Sequence, residues 1–73
     1  MTKEKILAAI QSFCKNNTSR QRKDLYDHLN KELGLSLDVY DYDGRGDHAR
    51  FACDTASAAW DTDYILKKLG KKA

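Results

Sequence analysis

The chain has no proline, no internal repeat and no low-complexity tract, so none of its 73 residues reads as a linker between units. That length makes one domain, residues 1–73, and excludes a second core. Such a chain buries only about 60% of the surface exposed by its unfolded form. A cleft that encloses a substrate usually asks for more scaffold, so no enzymatic activity and no small-molecule substrate are expected. Long apolar runs are missing as well. The richest stretch, Ile6–Ile10, has Lys5 before it and Gln11 after it, so no membrane span or membrane partner is expected. The charged start at residues 1–5, followed by a short apolar patch, does not match a secretory signal, and the expected compartment is the cytoplasm. Cysteine is scarce. Cys14 and Cys53 lie far apart with no CxxC partner, and the favoured state is two reduced, partly buried thiols rather than a disulfide. A zinc site drawn from Cys14, Cys53, His28 and His48 lacks every usual ligand spacing, so neither metal nor cofactor is expected.

What is present is a globular composition, 41% hydrophobic and 33% charged, with an uneven distribution of charge. The net charge is +2, yet residues 34–63 hold Arg45 and Arg50 against seven aspartates, while residues 64–73 hold four lysines and no acid. The chain is basic at both ends and acidic in the middle, which bears on its partners.

Periodicity sets out the elements. Thr2 caps a helix over about residues 3–15, with Ile6, Leu7, Ile10, Phe13 and Cys14 on one face. It is expected to stop at Asn16-Asn17, residues that tolerate left-handed backbone. Residues Thr18 to Gln21 read as a capping box for a second helix, which runs to Leu33 and stops at Gly34. Leu25, Tyr26, Leu29 and Leu33 share its inner face. From Leu35 the period becomes two, and alternation returns around Phe51. A β-hairpin over residues 36–54 is expected, with Tyr40, Tyr42, His48 and Arg50 outward. Asp54 or Thr55 caps a last helix ending near Leu69, with Gly70 as the stop and a basic tail over residues 70–73. If that helix is continuous, Trp60 and Tyr64 lie opposite its aliphatic stripe. If Asp61 re-caps it, Trp60 turns inward, and core is the favoured place for the Trp. The expected fold is α+β in the order α-α-β-β-α. Three helices cover one face of a two-stranded antiparallel hairpin, with Ile10, Phe13, Leu29, Leu37, Phe51 and Ile65 in the core.

Glu32-Leu33-Gly34-Leu35-Ser36, followed by Val39, is similar to the turn of helix-turn-helix regulators. That resemblance would imply a recognition helix over residues 36–43. Asp38, Asp41 and Asp43 stand where phosphate would be repelled, which departs from the pattern. Asp41-Tyr42-Asp43-Gly44 is no calcium loop, because its first and twelfth ligand positions are Val39 and Arg50. Arg45-Gly46-Asp47 reads as turn chemistry.

Aromatic residues interleaved with cations carry the functional expectation: aromatic planes stack on bases or anchor partners, and cations neutralise phosphate. The preferred reading is a non-catalytic regulatory module contacting nucleic acid. Its contacts would be Arg20, Arg22 and Lys23, the tail lysines Lys67, Lys68, Lys71 and Lys72, and Tyr40, Tyr42 and Arg50. The alternative is a compact adaptor or inhibitor of the kind phages and mobile elements encode. It would dock on a basic protein surface through Asp38, Asp41, Asp43 and Asp47, with Trp60 and Tyr64. Oligomeric state is not legible at this level.

Overall fold

The computed structural model describes residues 2–39 and 50–72, with only the backbone for Lys71 and Lys72. Three helices make up its order: α1 (Lys3–Asn16), α2 (Arg22–Leu33) and α3 (Thr55–Lys72).

Helix α1 forms where the period of 3.6 is cleanest. Thr2 Oγ1 accepts the Lys5 amide at 3.4 Å, Glu4 sits in the positive first turn and Lys15 in the negative last one. Its end is not left-handed: Asn17 is extended (φ −136°, ψ 146°), and its amide donates to the Phe13 carbonyl at 2.9 Å. The Asn16 side-chain amide donates to the Ser12 carbonyl at 3.0 Å. Asparagine ends this helix with side-chain donors rather than with an unusual backbone.

Helix α2 begins at Arg22, four residues past the expected cap, and its N-cap Gln21 makes no side-chain cap bond. The 17–21 link stays extended because other groups hold it. The Arg20 guanidinium donates to the carbonyls of Asn17 (2.8 Å), Ser19 (2.8 Å) and Cys14 (3.4 Å), satisfying the C-terminal end of α1. Gly34 ends α2 in the left-handed region (φ 66°, ψ 33°), as its position in the sequence suggested.

The hairpin is where sequence and structure part. Among the described residues there is no strand, only an isolated antiparallel bridge between Gln21 and Arg50. Over the described residues the fold is therefore all-helical rather than α+β. Backbone bookkeeping explains it. The Leu37 amide donates to Asn30 Oδ1 (2.8 Å), and its carbonyl accepts from Asn30 Nδ2 (2.9 Å), so α2 takes both groups a ladder would need. The Phe51 amide donates to the Arg20 carbonyl at 3.0 Å. Leu37 and Phe51 still point inward, but onto helices. The alternating pattern recorded which side chains are buried, not a ladder. Nor are residues 36–39 helical, so the described part of the resemblance's recognition helix is absent. Its remainder, and Tyr40, Asp41, Tyr42, Asp43, Arg45, Asp47 and His48, lie outside the described residues.

The cysteines are linked, contrary to expectation, with Cys14 and Cys53 Cα atoms 6.1 Å apart. The Phe13 and Phe51 rings meet at 5.8 Å and bring the segment before α3 against the end of α1, where the two sulfurs fall together. Both sulfurs being used, the zinc alternative lapses. Among the described residues no three His, Cys, Asp or Glu side chains gather into a metal-binding group.

Asp54 starts α3: its carboxylate accepts the Ser57 amide at 3.1 Å and its carbonyl accepts the Ala58 amide at 2.9 Å. Hydrogen bonds from Ser57, its side chain first and its backbone amide second, hold the Asp54 carboxyl below its ordinary range. The helix continues without a second cap through Gly70 to Lys72, so neither a stop at Gly70 nor an unstructured tail over 70–72 is found. Helix α1 lies between the other two and packs against both. Ile6, Ile10, Leu25, Leu29 and Ile65 are fully buried, and Phe13, Leu37 and Phe51 nearly so; all six expected core residues are inside. Among the described residues no helix is long and apolar enough to cross a membrane.

Candidate functional site

Arg22 is the first residue of α2, where a cation opposes the helix dipole. The compensation comes from α3. Arg22 Nη1 donates to Asp61 Oδ1 at 2.7 Å, and Nη2 donates to the Arg50 carbonyl at 3.2 Å. Both side chains are buried, at 9% and 3% exposure, so this pair works as a bolt between α2 and α3. Burial raises the Asp61 carboxyl above its ordinary range, and the Arg22 hydrogen bond and charge draw it back only in part. For Arg22, burial acts to lower the guanidinium, but hydrogen bonding and charge from Asp61 and Tyr26 together outweigh it and the net direction is upward. Arginine stays charged in any case.

Above this bolt sits a groove of about 390 Å³, lined by Arg22, Arg50, Phe51, Ala52, Ser57, Trp60 and Asp61. Trp60 forms the rim. It is 55% exposed, the one large hydrophobic side chain so placed among the described residues. Continuity of α3 puts it outside, opposite Ala58, Thr62 and Ile65, which take the core side. One turn on, the Tyr64 ring stacks against the indole with centroids 5.2 Å apart and planes 14° from parallel. Lys68 Nζ lies 5.3 Å from the Tyr64 ring centre. On this side of Trp60 a second hollow, of about 220 Å³, is lined by Trp60, Asp63, Tyr64 and Lys67. Asp63 is paired with Lys3 at 3.2 Å, which leaves the balance of this face positive. Arg50, Trp60, Tyr64, Lys67 and Lys68 thus form one strip along α3 and the segment before it.

The sequence-derived candidates separate clearly. Arg50, Trp60, Tyr64, Lys67 and Lys68 are brought together. Arg22 is buried in its ion pair. Arg20 is spent on carbonyls of the first link and lies 6.0 Å from the Phe51 ring. Lys23 is exposed on α2 and lines neither hollow, and Asp38 is exposed in the segment after α2. Trp60 is not core, contrary to the favoured reading. The role of Asp61 was missed; the unfavourable placement of Arg22 at a helix start was the available hint of a buried anion. Comparison with protein-family models, with curated proteins and with solved structures finds no match to this chain.

Proposed function

We propose that this chain is a non-catalytic binding module that contacts nucleic acid through the strip running from Arg50 over Trp60 and Tyr64 to Lys67 and Lys68. The supporting observation is the exposed Trp60, backed by Tyr64 and flanked by cations. A 55% exposed indole costs free energy in the unbound state unless a partner covers it. Aromatic planes bounded by Lys and Arg suit bases and phosphates. Trp, Tyr and Arg side by side are also what anchors protein partners, and that second reading takes the same strip as an adaptor surface.

Binding to labelled oligonucleotides at increasing salt tests the reading. Affinity should fall steeply as salt rises, because neutralised phosphates release counterions. Replacing Arg50, Lys67 and Lys68 with Gln should weaken binding and flatten the salt slope by about two units. No association at micromolar protein in low salt would sink it and leave the adaptor reading. The Cys14–Cys53 link favours a setting in which thiols remain oxidised over the cytoplasm expected at first.

A further inference from the structure

We infer that the ligand of this strip is single-stranded nucleic acid, with an unpaired base stacked on Trp60 and the neighbouring phosphates held by Arg50 on one side and Lys67 on the other. The inference rests on the nucleic-acid reading above and narrows it. Its first support is the aromatic plane itself. Bases inside a duplex are already stacked on one another, so an outward indole gains nothing from them, whereas an unpaired base offers it a whole face. Tyr64 lies nearly parallel at 5.2 Å and fixes the indole plane, so little side-chain freedom remains to be lost on binding.

A second support comes from what the other basic residues do. A duplex reader of the helix-turn-helix kind needs a helix that offers several side chains to a groove. The resemblance put such a helix over residues 36–43, of which 36–39 are not helical. At the start of α2, Arg22 is buried against Asp61 while Arg20 holds three carbonyls. Two cations flank Trp60, each lining one of the hollows beside it. Lys67 follows Trp60 by seven residues, about 10 Å along the helix axis. Arg50 stands across the groove on the other side of the Trp. A cation, an aromatic plane and a cation in a row match the alternation of phosphate and base along a single strand. The groove floor adds polar groups, Ser57 and the buried Arg22–Asp61 pair, within reach of a base edge.

Trp60 is the only tryptophan in the chain, so its fluorescence reports this site directly. The full chain is titrated with a mixed-sequence single-stranded oligonucleotide, its duplex, inorganic polyphosphate and polyglutamate, at one salt concentration. Saturable quenching by the single strand is expected, with the duplex binding at least about ten-fold more weakly. Polyphosphate should leave the emission unchanged. Trp60→Ala, followed by anisotropy of the labelled strand, should lose about ten-fold in affinity, and Trp60→Phe should recover most of it. Circular dichroism should show both variants as helical as the parent, since the side chain is outside the core. Equal or tighter duplex binding would overturn the inference while the nucleic-acid reading stands. Unchanged affinity in a folded Trp60→Ala variant, or polyphosphate quenching as well as the oligonucleotide, would overturn it too. If polyglutamate alone binds, or nothing nucleic does, both readings fall.

Discussion

Arg22 shows how a residue's address in the sequence can point away from its role. Beside Arg20 and Lys23 it looks like one third of a basic cluster, yet its guanidinium is inside, bonded to Asp61 and to the Arg50 carbonyl. A buried ion pair adds little net stability, because both ions lose their water, but removing one partner strands the other. Arg22→Ala should therefore cost about 3–5 kcal/mol, read from chemical denaturation. Replacing Arg22 with Met and Asp61 with Leu together should cost much less, since no charge is left unpaired. Should the single variant unfold at the same denaturant concentration as the parent, the pair is not the bolt described. Lys23, one position on, is exposed and remains available to solvent or a partner.

At the scale of the element, the two glycines at helix ends make the instructive contrast. Gly34 and Gly70 occupy similar places after an apolar stripe, and both read as stops. Gly34 is one: its φ of 66° is left-handed, and a Cβ there would meet nothing within 4 Å, so backbone strain alone sets the cost of substitution. Gly70 lies inside α3, also with open space around it. The two alanine variants should consequently act with opposite signs. Gly34→Ala should destabilise by about 1 kcal/mol, and Gly70→Ala should stabilise by up to about 1 kcal/mol, less if the last turn frays. Thermal melts of both, side by side, check this; equal signs would contradict the assigned helix ends. The wrong stop at Gly70 has a simple origin. Glycine permits a left-handed residue without requiring one, and four C-terminal lysines complement the negative end of α3 whether it stops at 69 or 72.

Across the whole molecule, the disulfide adds a covalent crosslink to the packing. Cys14 and Cys53 are 39 residues apart in sequence, and their link pins the segment carrying Arg50, Phe51 and Ala52 to the end of α1. That segment is also one wall of the groove beside Trp60. In the chain-entropy account a crosslink of this span is worth about 4 kcal/mol, a large share of what so small a domain has. Reductant, or replacement of both cysteines by Ser, should lower the melting temperature by tens of degrees, at about 4–8 °C for each kcal/mol. A melting curve unmoved by reductant, with two thiols titrating, would show that the link does not hold the fold.

The sequence by itself determined the three helices, the buried faces of α1 and α2 and the six named core residues, because those depend on a local period and on which side chains avoid water. It also put Trp60, Tyr64 and Lys67 on one stretch of helix. It did not determine the partners of residues 36–39 and 50–53. Alternation records which side chains point inward and says nothing about where the backbone finds its hydrogen bonds; here Asn30 and the Arg20 carbonyl supply them. Only the tertiary structure decided that Arg22 is inside and Trp60 outside. Asp61 lies 39 residues from Arg22, and no local pattern links the two; once α3 packs with Asp61 and Thr62 toward the core, the Trp has no place left but the surface.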